Sequence, residues 1–119
     1  MKIRIKGNSL RLRLTQSEVD HLSEHGSLME ATEFPNGHIF EYGISCASED
    51  FIPASFTGNC ITVSPPIQEV KKWAGSDKVS IEEWVDLGNG KQLRVLVEKD
   101  FACLTERTHE DESDMFPNP

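Results

Sequence analysis

The stretch Lys2-Ile3-Arg4-Ile5-Lys6-Gly7-Asn8-Ser9-Leu10-Arg11-Leu12-Arg13-Leu14 decides how the rest of the chain is read. Its apolar residues occupy odd positions before Gly7 and even positions after Ser9. One flat strand would put the two sets on opposite faces, because side chains alternate along a strand. A two-residue hairpin turn at Gly7-Asn8 restores a single apolar face: Ile5 then sits opposite Leu10 and Ile3 opposite Leu12. The same register stacks Arg4 against Arg11 and Lys2 against Arg13 on the other face. A single long strand with a bulge at Gly7 is the competing reading.

Working outward, Thr15-Gln16-Ser17-Glu18 is a capping box, with Leu14 and Val19 as its hydrophobic staple. It predicts a short helix over 16–25, stopped by Gly26 and burying Val19 and Leu22. Residues 28–34 and 38–46 then read as two strands around Pro35-Asn36-Gly37-His38, with Met29, Ala31, Phe40, Tyr42 and Ile44 on one face. From Phe51 the same signals return. Gly58-Asn59 repeats Gly7-Asn8 at a displacement of 51 residues, Ile61 and Val63 take the places of Leu10 and Leu12, and Trp73 that of Leu22. A second helix is predicted near 66–75, started by Ser64 with Pro65 or Pro66 in its first turn and ended by Gly75. Strands over 79–87 and 92–98 follow, joined around Gly88-Asn89-Gly90, with Leu87 opposite Leu93 and Val85 opposite Val95. Trp73, Trp84, Phe40, Phe56 and Tyr42 fall at apolar positions and are expected in the core.

The fold expected is therefore α+β: two strand-helix-strand pseudo-repeats, 1–50 and 51–105, forming one curved antiparallel sheet or partly open barrel with two short helices. Residues 106–119 carry Glu106, Glu110, Asp111, Glu112 and Asp114 without periodicity and read as an acidic tail, with Met115-Phe116 as a possible docking segment.

The chain of 119 residues has 12 basic and 20 acidic side chains, a net charge of −8. Lys2, Arg4, Lys6, Arg11 and Arg13 all fall in the first 13 residues, where there is no acid. The remainder holds 7 basic against 20 acidic groups, a balance of −13. That remainder argues against general nucleic-acid binding, and no run of about 20 apolar residues suggests a membrane span. A soluble cytoplasmic protein with reduced thiols is expected, since Cys46, Cys60 and Cys103 show no C-x-x-C spacing. Like charges directly opposite one another on a hairpin are unfavourable unless an anion lies between them. Lys2, Arg4, Lys6, Arg11 and Arg13 are accordingly the candidate binding residues, for a small anion, an acidic protein partner or the acidic tail. A charged edge strand that merely resists aggregation is the plainer explanation.

His21 and His25 share one helix face at metal-ligand spacing, with Glu18 a turn earlier, but no third ligand is visible. A small metal-dependent enzyme using them, or a barrel holding an apolar molecule among Tyr42, Phe56 and Trp84, are the alternatives to a binding module. No cofactor is expected. Neither G-x-S-x-G nor H-E-x-x-H occurs, nothing pairs a cysteine with a histidine, and Glu82 and Glu83 face opposite sides of one strand.

The run Met1 to Thr15, the segment Leu96-Val97-Glu98-Lys99-Asp100-Phe101 and the Glu112-Ser113-Asp114 tail resemble a family of small uncharacterised bacterial proteins. The resemblance spans most of the chain. It implies a bacterial, intracellular, single-domain protein and brings no catalytic or binding residue with it.

Overall fold

The computed structural model describes residues 1–48 and 53–101. Cys103, His109 and the 106–119 tail lie outside the described residues. The opening stretch is a hairpin of β1 (Lys2–Lys6) and β2 (Ser9–Leu14). Its register is the one the alternation requires: Ile5 faces Leu10, Ile3 faces Leu12, Arg4 faces Arg11 and Lys2 faces Arg13. Gly7 makes the reversal possible by taking φ 54, a left-handed conformation that costs a residue without Cβ little. β2 hands the chain to α1 (Gln16–His25), entered through the Thr15–Glu18 capping box, in which the Thr15 amide donates to Glu18 Oε1 at 2.9 Å. Gly26 ends it with φ 81, its amide donating to the Leu22 carbonyl at 2.8 Å.

β3 (Ser27–Glu33) and β4 (Ile39–Ser45) form the next hairpin, joined through a single 3-10 turn at Pro35–Gly37. Then come β5 (Ala54–Thr57), β6 (Cys60–Val63), α2 (Ile67–Ala74), β7 (Ser80–Asp86) and β8 (Gln92–Lys99). The order of the second half repeats the first: hairpin, helix, hairpin. α2 starts one step later than expected. Pro66 is its N-cap with extended backbone, so neither proline lies inside the first turn.

The sheets differ from the expectation. Among the described residues there are two four-stranded sheets, ordered β1-β2-β8-β7 and β3-β4-β6-β5, and neither closes into a barrel. Both central pairs, β2 with β8 and β4 with β6, are parallel, so each sheet is mixed instead of antiparallel. The cause is an exchange. Each half contributes its first hairpin to one sheet and its second hairpin to the other, and the strands that meet in the middle of each sheet run the same way. Among the described residues no closed barrel, expected as one form of the fold, surrounds Tyr42, Phe56 and Trp84.

The two sheets also match in register. Leu10–Val95 and Leu12–Val97 in the first correspond to Ile61–Tyr42 and Val63–Ile44 in the second, a displacement of 51 for the first hairpin and 53 for the second. Bonds outside the ladders correspond too. Arg94 donates to the Asn8 carbonyl as Glu41 does to Asn59, Lys99 to Val79 as Cys46 does to Gly26, and Asp100 to Leu14 as Ala47 does to Pro65.

One core joins both sheets and both helices: Leu12, Leu14, Val95, Val97 and Ile81 from the first sheet, Ile44 and Val63 from the second, Val19 and Leu22 from α1, Val70 and Trp73 from α2. Trp73 is fully buried, and its Nε1 donates to the Val79 carbonyl at 2.9 Å, so its one polar group is satisfied. Other expectations for the core fail. Met29 and Ala31 pair with Gly43 and Glu41, which puts them on the face opposite Phe40, Tyr42 and Ile44; Leu28 and Glu30 occupy the inner positions instead. Trp84 pairs with Arg94 on the outer face and is 56% exposed, and Phe56, beside the Gly58-Asn59 turn, is 72% exposed. The three-residue loop at Gly88–Gly90 closes Leu87 onto Lys91, so Val85 meets Leu93 and the expected β7–β8 register is off by two.

Candidate basic site on the first sheet

The outer face of the first sheet is a grid read directly from its ladders. One row across β1, β2, β8 and β7 is Lys6, Ser9, Arg94, Trp84. The next is Arg4, Arg11, Leu96, Glu82, and the third is Lys2, Arg13, Glu98, Ser80. Inner-face burial of Ile3, Leu10, Leu12, Val95 and Val97 fixes the register, and alternation then forces the basic residues outward. Leu96 is only 4% exposed although it points outward, since Arg11 and Glu82 flank it across the two ladders.

The protein meets part of this positive charge itself. Arg11 Nε lies 2.9 Å from Glu98, Lys2 Nζ lies 3.2 Å from Asp100, and Arg94 Nε donates to Glu82 at 2.6 Å. These acids come from β7, β8 and the residue just after β8, not from the tail. Among the described residues no carboxylate pairs with Arg4, Lys6 or Arg13. Where short Ser9 lies between Lys6 and Arg94, the surface sinks into a cavity of about 330 Å³ lined by Arg4, Lys6, Ser9, Arg11 and Arg94. Three of the five basic residues singled out in the sequence, Arg4, Lys6 and Arg11, thus converge. Lys2 and Arg13 lie a row or more away. Ser9, Arg94 and Trp84 were missed. The alternation at Leu93-Arg94-Val95 marks Arg94 as outward-facing, but nothing local says that β8 lies beside β2.

Trp84 borders the same row, with the Arg94 guanidinium 5.5 Å from its ring centroid. The second sheet has a cavity of similar size lined by Gly37, His38, Ile39, Glu41, Asn59 and Cys60, which shares with the first only the positions equivalent to Arg94 and Ser9 and lies toward the β3–β4 turn. It lacks the basic lining.

Elsewhere, His21 and His25 do come together, with ring centroids 4.5 Å apart, on the exposed side of α1. No group of three His, Cys, Asp or Glu side chains among the described residues is placed to hold a metal. Burial pushes the Cys46 thiol above its ordinary pKa, which suits a packing role better than a nucleophilic one. A polar cluster ties the first strand to the second sheet: the Met1 amino group bonds to Glu18 and, at 2.7 Å, to Glu30, while the Tyr42 hydroxyl donates to Glu30 at 3.0 Å and to the Met1 carbonyl at 3.1 Å. Burial opposes charge on the Met1 ammonium, but the bonds to Glu18 and Glu30 outweigh it and raise its pKa. Burial likewise opposes charge on Glu18, and the bonds from the Met1 ammonium and Thr15 outweigh it and lower its pKa. No helix among the described residues is long and apolar enough to cross a membrane.

Residues 1–119 match the model of a family described as a family of unknown function, DUF7009. The chain belongs to that family. No curated protein and no solved structure shows a match to it. The family brings no assigned activity, so the basic cavity has to be interpreted from its own chemistry.

Proposed function

We propose that this chain is a non-enzymatic binding module that holds an anionic group in the cavity formed by Arg4, Lys6, Ser9, Arg11 and Arg94. The observation that carries the reading is Arg4 held directly opposite Arg11 by the hairpin register, beside a hollow that contains no carboxylate among its lining residues. Edge protection accounts for charge on β1, which is an edge strand. It does not account for Arg11 and Arg94, which lie on the two central strands. Guanidinium groups lining a small hollow together with a serine suit a phosphate or carboxylate group. An acidic segment of a partner protein would use the same cations. The setting that fits is the bacterial cytoplasm, where thiols such as Cys46 and Cys60 stay reduced. We also read the two halves as an internal duplication, a view supported by the matching ladders and by the matching bonds outside them.

Titration calorimetry with inorganic pyrophosphate at low salt tests the site. Arg4→Ala and Arg11→Ala are each expected to weaken binding by at least about tenfold, the scale of one charge-assisted hydrogen bond, and to flatten its salt dependence. Binding that is undetectable in the unaltered protein, or that stays at the unaltered affinity in both variants, overturns the proposal.

A further inference from the structure

The row that contains the cavity does not end at Arg94. Lys6, Ser9, Arg94 and Trp84 lie side by side across all four strands of the sheet. Its positive end and its aromatic end point to the same side. Trp84 is more than half exposed, in a molecule whose other tryptophan, Trp73, is fully buried. Apart from its contact with the Arg94 guanidinium this large indole lies open on the face, and its outward position follows from the register, which places it opposite Arg94. From Ser9 on β2 to Trp84 on β7 is two strand spacings, about 10 Å. That span suits a ligand with a phosphoryl group at one end and a flat ring at the other. Arg94 lines the cavity and also lies against the indole, so it links the two ends.

Resting on the reading of the cavity as an anion site, we infer that the ligand is a nucleoside monophosphate, its phosphate among Arg4, Lys6, Arg11 and Arg94 and its base against Trp84. A positively charged groove beside an aromatic platform is the combination by which proteins hold unpaired nucleotides without reading their sequence. A long polymer fits less well, because the −13 balance beyond residue 13 repels an extended phosphate backbone.

Calorimetric titrations of the full chain with adenosine 5′-monophosphate, ribose 5-phosphate, inorganic pyrophosphate and a single-stranded oligonucleotide of ten residues test this, with Trp84 emission as a second readout. Adenosine monophosphate is expected to bind about tenfold more tightly than ribose 5-phosphate, the contribution of one stacked base. Trp84→Ala should remove that advantage, bringing the ratio of the two affinities to about one, and Trp84→Phe should restore part of it. Equal affinities for the two monophosphates, unmoved by Trp84→Ala, overturn the nucleotide inference while pyrophosphate binding keeps the anion site. Tighter binding of the oligonucleotide than of the monophosphate also overturns it. If neither monophosphate nor pyrophosphate binds, both readings fall.

Discussion

The two sheets share a backbone plan and differ in what they show to the outside. Where the first sheet presents Arg4, Lys6, Arg11 and Arg94, the corresponding positions of the second hold Ser55, Thr57, Thr62 and Glu41. Leu96 corresponds to Gly43 and Trp84 to Ala31. Inner positions change far less: Leu12 with Val97 becomes Val63 with Ile44. The comparison teaches that burial sets the register and leaves the outward residues free, so one face could gather charge and an aromatic while its counterpart stayed nearly neutral.

The largest effects should come from the part the halves share. Leu22 and Trp73 hold corresponding places on α1 and α2, both fully buried. Leu22→Ala and Trp73→Ala should each cost about 3–5 kcal/mol in urea unfolding. A small loss at either position would mean that the halves do not contribute equally to one core.

Gly43 tests how far the sheets can be made alike. A Cβ there would meet the Leu28 carbonyl oxygen and lie 2.8 Å from Met29 Cα, both of them backbone atoms. Gly43→Ala should therefore destabilise by about 1–3 kcal/mol, although the corresponding position in the first sheet carries a leucine. Unchanged stability would show that the close approach of β3 and β4 is not rigid.

Glu30 and Glu83 also correspond, but only Glu30 has the Met1 ammonium and the Tyr42 hydroxyl beside it. Glu30→Gln should cost about 0.5 kcal/mol, given its partial exposure, and Glu83→Gln less. The same cluster sets a pH window. Glu18 is lowered from its ordinary 4.5, so its contribution is full above that value and is lost as pH falls through the lower folded pKa. The Met1 ammonium is raised from 8.0, so its contribution is full below 8.0 and is lost as pH rises through the higher folded pKa. Thermal melts of the unaltered protein should thus show this cluster's contribution at its plateau between 4.5 and 8.0. The acid-side loss should shrink in Glu18→Gln.

The smallest change has the most diagnostic sign. Arg4→Ser, which gives β1 the residue found in β5, should raise stability by about 0.2–1 kcal/mol by relieving the repulsion with Arg11, while weakening pyrophosphate binding. Loss on both counts would mean that Arg4 contributes to the fold.

How much of this was legible in the sequence depends on distance along the chain. The β1–β2 register and the bounds of α1 are written within a few residues of the turn and caps that determine them. The β7–β8 register depends on whether the Gly88–Gly90 loop closes on Lys91 or further on, and alternation alone fixes the face without fixing the pairing. Met29 and Ala31 illustrate the converse: their apolar character suggested the inner face, but the pairing with Gly43 and Glu41 turns them out. The parallel contact of β2 with β8 leaves no local trace. It brings Arg94 to Ser9, and so completes the cavity, only in three dimensions.

That contact also determines the order in which the molecule can be built. Leu10 waits for Val95, 85 positions later, before its sheet has a second layer of pairing. A ribosome releasing this chain therefore exposes an unfinished β2 until the final strand emerges, and loop closure over such a span makes folding slow. Each sheet draws one hairpin from each half, so neither sheet has all four of its strands until both halves have been made.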